Sequence, residues 1–136
     1  MKLQSSDFSQ GRAFNFSNQL DQAFLKQNFG ENLDLAKNIF HQFVISIEKE
    51  LENLDKAISE KSFESIGFIS HKIKNNFTYV GANHVAKLIG ELESEAKNNS
   101  RQINNLYSKL SEQLEQIIPI VKEEYQRIKS HINLNS

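Results

Sequence analysis

The chain has 136 residues, with five Gly, one Pro and no Cys, and its 16 Lys and Arg nearly balance its 17 Asp and Glu. This length suits one domain with its own hydrophobic core. β-Sandwiches, barrels and doubly wound α/β enzymes need many tight or Gly-rich turns, so the scarcity of Gly and Pro favours a helical bundle. The absence of Cys excludes disulfides, thiolate zinc sites, iron–sulfur clusters and Cys nucleophiles, and it is compatible with a reducing compartment.

Charge and hydropathy bear on location and partners. A formal net charge of -1 argues against a nucleic-acid partner, because such proteins normally present a basic face. No stretch approaches the roughly 18 consecutive apolar residues of a membrane span, and the N-terminal residues are too polar for a signal peptide. We therefore expect a soluble, cytoplasmic protein with no membrane partner.

The chain begins with a polar stretch and a short helix. Residues 1–18 are rich in Ser, Gln and Asn and are predicted to form a flexible tail or linker. A short helix is predicted from Leu20 to Phe29, with Ser17 as a possible N-cap and Gly30 at its end. This helix would cover one end of a core.

Four longer segments carry apolar residues at alternating spacings of three and four, which is typical of amphipathic helices. They cover residues 33–58, 62–81, 83–97 and 103–128. Pro119 lies inside the last segment and is predicted to kink it or divide it. Short connections between such helices imply antiparallel neighbours. We therefore predict that residues 19–132 form an all-α domain, an antiparallel up-and-down four-helix bundle with a short N-terminal covering helix.

The second long segment carries a histidine on its polar side. At 100° per residue, His71 lies about 150° from the centre of the apolar stripe and therefore faces solvent. The residues four before, four after and seven after it share its face and have short side chains, and they are Gly67, Asn75 and Thr78. The imidazole is therefore predicted to be accessible to a partner.

Charged and aromatic residues flank this histidine. A neutral imidazole nitrogen is a competent nucleophile near pH 7, and Lys72 and Lys74 can offset the negative charge of a phosphoryl group. Phe68 and Tyr79 also project outward and are candidates for partner docking, although either could instead pack under a neighbouring helix. The pattern favours His71 as a nucleophile toward phosphorus, and an ordinary surface histidine is the alternative.

The residues from Ile69 to Ala82 resemble the signature of histidine-containing phosphotransfer (HPt) domains. In that family the histidine is followed, at fixed spacings, by an aliphatic residue, a Lys and an aliphatic–Gly pair. The matching residues here are Ile73, Lys74, Val80 and Gly81. The flanking helical segments resemble the neighbouring helices of the family, so the resemblance covers roughly residues 20–128.

This resemblance implies a phosphorelay intermediate. His71 would accept a phosphoryl group from the aspartate of one receiver domain and pass it to the aspartate of another. Lys74 would stabilise the phosphate charge, Lys72 would add an auxiliary charge, and Gly81 would let the helix end against its neighbour. The implied partners are response regulator receiver domains and a sensor or hybrid histidine kinase.

The same resemblance implies a phosphocarrier rather than an enzyme. The sequence has no Gly-rich loop that could bind a nucleotide, so the phosphoryl donor must be another protein. We expect no cofactor of the chain's own, with Mg²⁺ supplied by the partner receiver domain. A self-contained bundle with an exposed working face is expected to be a monomer.

Two departures from the family pattern keep an alternative open. Asn75 stands where Gly is usual, and Thr78 stands where Gly or Ala is usual, so both narrow the gap that a receiver must enter. The alternative is a helical adaptor that binds a receiver domain or kinase but has lost phosphotransfer. A bundle with no receiver partner ranks lowest because it leaves the motif unexplained.

The remaining titratable residues predict no further site. No second His or carboxylate stands at metal-ligand spacing from the other histidines, so no metal site is expected at His41, His84 or His131. Three glutamates alternate around the third long helix and are predicted to be solvated surface, namely Glu91, Glu93 and Glu95.

Overall fold

A computed structural model of the chain describes residues 13–135. Its five helices are α1 (Gln22–Phe29), α2 (Leu33–Ser59), α3 (Phe63–Tyr79), α4 (Asn83–Lys97) and α5 (Ile103–Leu134). Between residues 13 and 135 there are no strands, which confirms the predicted all-helical class. None of the described helices is long and apolar enough to span a membrane.

The four long helices pack around one apolar core. Helix α3 contacts α2 and α4, and α5 also contacts both of these helices, so that each long helix has two long neighbours. Helix α1 contacts α2. Burial of a large apolar side chain contributes roughly 1.5–3 kcal/mol, and the fully buried apolar residues with the largest side chains are Leu25, Phe40, Ile47, Leu54, Ile66, Ile73, Phe77, Ile89, Leu92, Leu110 and Ile128.

Helices α2, α3 and α4 end in the same way, with a residue of positive φ just past the helix. These residues are Lys61 (φ 55), Gly81 (φ 80) and Asn99 (φ 50). At the end of α3, the Gly81 N–H donates to the Thr78 carbonyl at 3.0 Å and the Ala82 N–H donates to the Phe77 carbonyl at 2.9 Å. This pair of bonds is a Schellman motif, which satisfies carbonyls that the helix leaves unpaired.

Gly81 also holds the end of α3 against α1. The Asp21 N–H donates to the Gly81 carbonyl at 2.8 Å. A Cβ added at Gly81 would lie 2.9 Å from Leu25 Cδ1 and 3.2 Å from the Asp21 nitrogen. Glycine is therefore required here both by the positive φ and by the close approach of α1.

The predicted N-cap of α1 is wrong, and of the two outcomes predicted at Pro119, a kink or a division of the helix, the division is excluded. Helix α1 is capped by Asp21, whose Oδ1 accepts from the Phe24 N–H at 3.1 Å, whereas Ser17 donates its own N–H to Glu124. Helix α5 is not divided and continues through Pro119. Pro119 is exposed, so the backbone bond that it removes lies away from the packed face.

The predicted tail divides into two parts. Residues 1–12 lie outside the described residues. From Ala13 onward the segment is not a free tail, because Phe16 is only 6% exposed and belongs to the core. The Arg127 guanidinium lies 4.8 Å from the centre of the Phe14 ring and donates to the Asn15 carbonyl at 2.9 Å. The two phenylalanines anchor a segment whose polar composition suggested otherwise.

Candidate functional site

His71 lies on the outer side of α3, in the middle of the helix. Its side chain is 63% exposed, while the opposite side of α3 buries Ile66, Ser70, Ile73 and Phe77. Apolar residues at spacings of three and four set this orientation, because they turn one side of α3 into the core and leave the other to solvent. The imidazole is therefore accessible in the free protein.

A buried carboxylate of α4 holds both His71 and Lys74. His71 Nδ1 lies 2.9 Å from Glu93 Oε2, and Lys74 Nζ lies 2.9 Å from Glu93 Oε1. The Glu93 side chain is only 10% exposed. Each carboxylate oxygen therefore has its own donor, which is how a buried charge is stabilised.

The charge on Glu93 decides which nitrogen of His71 is free. Burial opposes ionisation of Glu93, but the hydrogen bonds and the charge attraction from Lys74 and His71 together outweigh it, so the pKa of Glu93 lies below its ordinary value of 4.5. An ionised carboxylate can only accept hydrogen bonds. In neutral His71 the proton therefore resides on Nδ1, and Nε2 carries the free electron pair.

Two further lysines lie near the site, in different surroundings. Lys97 Nζ, at the end of α4, lies 3.9 Å from Glu93 Oε2, and its side chain is 73% exposed. Lys72 Nζ lies 2.9 Å from Glu50 Oε2 of α2. The ammonium group of Lys72 is therefore directed toward α2, whereas those of Lys74 and Lys97 are directed toward α4.

A surface groove of about 460 Å³ between α3 and α4 borders His71. Its walls include Gly67, Phe68 and Ala96. Phe68 is 74% exposed, so most of its ring is available to a partner. A Cβ added at Gly67 would lie 3.9 Å from the Ala96 Cβ, an ordinary contact, so helix packing does not require glycine here. The missing side chain leaves the groove open beside the imidazole.

The other predicted docking residues lie farther along α3. Asn75 is exposed and Thr78 is half-buried. The Thr78 hydroxyl donates to the Lys74 carbonyl at 3.0 Å, which directs it back to the helix backbone. Tyr79 is exposed and borders a separate groove between α2 and α3, together with Lys72. The structure thus brings Gly67, Phe68 and Lys74 to His71, and separates Tyr79 from that groove.

Glu93 and Lys97 are the site residues that the sequence analysis missed. The prediction that Glu93 is solvated surface is wrong, since the residue is 8% exposed. A signal was present, because Glu93 lies four residues after Ile89 and seven after Ala86, which are both buried. A glutamate at a core-facing position of a helix indicates a buried carboxylate with partners.

The remaining histidines lie apart from this site. His41 Nδ1 lies 2.7 Å from the Tyr125 hydroxyl, and the His131 ring lies 5.3 Å from that of Phe14. His84 is exposed at the start of α4. From residue 13 to residue 135 no group of three or more His, Asp or Glu side chains is placed to hold a metal ion.

Comparison with known proteins gives one structural match and one family match. The structure resembles the crystal structure of histidine-containing phosphotransfer protein B (HptB) from Pseudomonas aeruginosa PAO1 with a TM-score of 0.72 and 21% sequence identity, covering 82% of this chain and 97% of that chain. No curated protein matches the sequence significantly.

The family match covers the site. The family model for the Hpt domain matches residues 38–130, which is more than half of the chain and includes all of α3 and α4. The motif around His71 and the helical fold agree with this match. The chain therefore belongs to the Hpt domain family, the histidine-containing phosphotransfer proteins that carry phosphoryl groups in phosphorelays.

Proposed function

We propose that His71 is the phosphoacceptor of this Hpt domain and that Nε2 is the reacting atom. The observation that carries the proposal is the hydrogen bond between His71 Nδ1 and the buried Glu93 carboxylate, within an exposed imidazole. Because Glu93 occupies Nδ1, the other nitrogen is left with its electron pair and with access to solvent.

The proposed reaction is transfer from an aspartyl phosphate of a receiver domain. His71 Nε2 attacks phosphorus, the N–P bond forms, and the P–O bond to the aspartate breaks, so that the donor leaves as a carboxylate. The attack leaves positive charge on the ring, which Glu93 stabilises through the Nδ1–H bond. The reverse steps pass the group to the aspartate of a second receiver.

The neighbouring residues are proposed to support this reaction. Lys74 holds Glu93 in place and adds positive charge where the phosphoryl group arrives. Lys72 supplies an auxiliary charge on the side of α2. Gly81 fixes the end of α3.

Five residues are proposed to contact the partner. Phe68 and Tyr79 are the exposed large hydrophobic residues among them, and the others are Gly67, Asn75 and Thr78. Gly67 and Phe68 border the same groove as His71, which would place the partner's reacting group beside the imidazole.

The proposed partners are response regulator receiver domains and a sensor or hybrid histidine kinase. In this proposal the chain is a cytoplasmic, monomeric phosphocarrier without catalytic machinery or a cofactor of its own, and the receiver supplies Mg²⁺. Helices α2 to α5 are proposed to run antiparallel, up and down, because the connections between them are short.

The proposal is tested by labelling. Incubation with a receiver domain carrying a radioactive aspartyl phosphate should transfer the label to this protein as an acid-labile, base-stable phosphohistidine. The His71→Gln variant should lose the label, whereas His41→Gln, which changes another exposed histidine, should retain it.

Two results would contradict the proposal. Label retained by His71→Gln would move the acceptor to another residue. Receiver binding without transfer to or from any receiver tested would favour an adaptor that has lost phosphotransfer.

A further inference from the structure

Lys97 differs from the other lysines near His71 in how loosely it is held. Its Nζ lies 3.9 Å from Glu93 Oε2, beyond hydrogen-bond distance, and its side chain is 73% exposed. We propose that Lys97 is a second phosphoryl-binding lysine, which pairs with Glu93 before phosphorylation and moves to the phosphoryl oxygens of phosphorylated His71. This inference rests on the proposed role of His71.

Lys74 is less free to make this movement. Its Nζ donates to Glu93 Oε1 at 2.9 Å, and its side chain is 32% exposed. Moving Lys74 away would remove a hydrogen bond from a buried carboxylate and leave that charge with one donor fewer, which is unfavourable. Lys97 has no hydrogen bond to Glu93 to lose, and its own side chain is 73% exposed, so its ammonium group can exchange partners more readily.

The position of Lys97 also fits the proposal. Its ammonium group and His71 Nδ1 both lie near the same oxygen, Glu93 Oε2. The distance between Lys97 Nζ and His71 Nδ1 therefore cannot exceed the sum of the two contact distances. Lys97 and His71 border the same groove between α3 and α4. Rotation about the long lysine side chain would bring the ammonium to a group attached to the ring.

The charges around the groove favour such a movement after phosphorylation. From α3 the charged residues are Glu64 and Lys74, and from α4 they are Glu93 and Lys97. Before phosphorylation the two carboxylates balance the two lysines. Phosphorylation adds about two negative charges at the exposed nitrogen of His71. The phosphoryl group should therefore attract the Lys97 ammonium more strongly than Glu93 does, because Glu93 is already shared by His71 and Lys74.

The experiment uses the full chain and phosphoramidate, a small donor that phosphorylates imidazole nitrogen with release of ammonia. The ³¹P resonance that is absent from His71→Gln identifies phosphorylated His71, and its pH dependence gives the apparent pKa of the phosphohistidine group. Lys97→Met should raise this pKa by about half a unit because a nearby positive charge is lost. Lys97→Arg keeps the positive charge and should therefore leave this pKa at the wild-type value. Lys87→Met, which changes an exposed lysine about 15 Å away along α4, should have no effect.

A double-mutant cycle separates contact with the phosphoryl group from an action through Glu93. If Lys97 binds the phosphoryl oxygens, Lys97→Met should raise the pKa in the Glu93→Gln background as well. A shift that disappears in that background, or no shift in either background, would overturn the inference and leave the role of His71 standing. Failure of phosphorylated His71 to transfer to any receiver would refute the proposed function instead. No phosphoramidate labelling of His71 would contradict both.

Discussion

Glu93 connects the residues around His71, the proposed acceptor, and distinguishes it from an ordinary surface histidine. The carboxylate fixes the tautomer of His71 through Oε2 and holds the Lys74 ammonium through Oε1. Both partners are hydrogen-bonded to one buried group of a neighbouring helix. The orientation of the imidazole is therefore set by the packing of α3 on α4.

The sequence predicts the positions of His71 and Lys74 better than it predicts the position of Glu93. His71 and Lys74 are three residues apart on one helix, so periodicity and the motif are sufficient to place them on the same side. Glu93 belongs to another helix, and its contact with His71 depends on the register between α3 and α4. A single sequence does not encode that register in any local pattern.

Glu93→Gln should lower both stability and transfer. At pH 7 we expect the free energy of unfolding to fall by about 1–3 kcal/mol, because Lys74 loses its charged partner. Transfer from a phosphorylated receiver should slow by roughly tenfold or more, since the charged hydrogen bond to the ring is lost. Urea unfolding and the rate of label transfer measure these effects, with the exposed Glu91→Gln on the same helix as the control.

The difference in the free energy of unfolding between the wild type and Glu93→Gln should depend on pH, because the pKa of Glu93 is lowered in the folded protein. A carboxyl group whose pKa is lower in the folded state stabilises the fold above its unfolded pKa, and this contribution is lost as the pH falls through the folded value. The gap in stability between the wild type and Glu93→Gln should therefore be full above pH 4.5 and shrink below it. A gap that does not change with pH would show that ionisation of Glu93 is not its source.

Among the elements, the helices with strong apolar periodicity were the most predictable. The pattern over residues 62–81 corresponds to α3 at Phe63–Tyr79, and the pattern over 33–58 corresponds to α2 at Leu33–Ser59. The start of α1 was mispredicted because two residues with good capping side chains, Ser17 and Asp21, precede the helix. The Ser17 hydroxyl accepts from the Gln19 N–H, whereas Asp21 accepts from the Phe24 N–H and caps α1. Local cap preferences do not decide between two such candidates.

The shared ending of α2, α3 and α4 yields a prediction about stability. Lys61 adopts a φ of 55, which costs a residue with a side chain roughly 1–2 kcal/mol. Lys61→Gly should relieve this strain and, after the entropy cost of glycine, raise the free energy of unfolding by about 0.5–1 kcal/mol.

The control for this variant lies five residues before it, in the last turn of α2. Lys56→Gly places glycine at an exposed position inside α2, where it should lower the free energy of unfolding by about 0.5–1 kcal/mol. Urea denaturation of both variants gives the comparison. A loss of stability in Lys61→Gly would contradict the assignment of strain to this position.

For the molecule as a whole, two phenylalanines with opposite surroundings distinguish a residue of the core from a residue proposed to contact a partner. Phe16 is buried where the N-terminal segment joins the core, and its ring centre lies 6.2 Å from that of Phe29. Phe68 is exposed beside His71. The sequence alone did not distinguish their environments, because the segment around Phe16 has no helical period.

Substituting each phenylalanine should separate stability from recognition. Phe16→Ala should lower the free energy of unfolding by about 3 kcal/mol through loss of buried apolar surface. Phe68→Ala should change stability by less than about 0.5 kcal/mol and weaken receiver binding. Urea unfolding and titration calorimetry with a receiver domain measure the two effects. A strong loss of stability in Phe68→Ala would show that this ring supports the fold.

The span of chain that each contact closes suggests an order in which the molecule assembles. The bond between His71 and Glu93 joins residues 22 apart, whereas the bond between Ser17 and Glu124 joins residues 107 apart. The longer closure costs about 1.4 kcal/mol more in chain entropy, and contacts between near neighbours in sequence form fastest. The packed pair of helices α3 and α4 should therefore acquire the geometry around His71 early in folding, and the contact between Ser17 and α5 should form late. Transient opening of the contact between Ser17 and Glu124 would then leave the His71 imidazole held by Glu93.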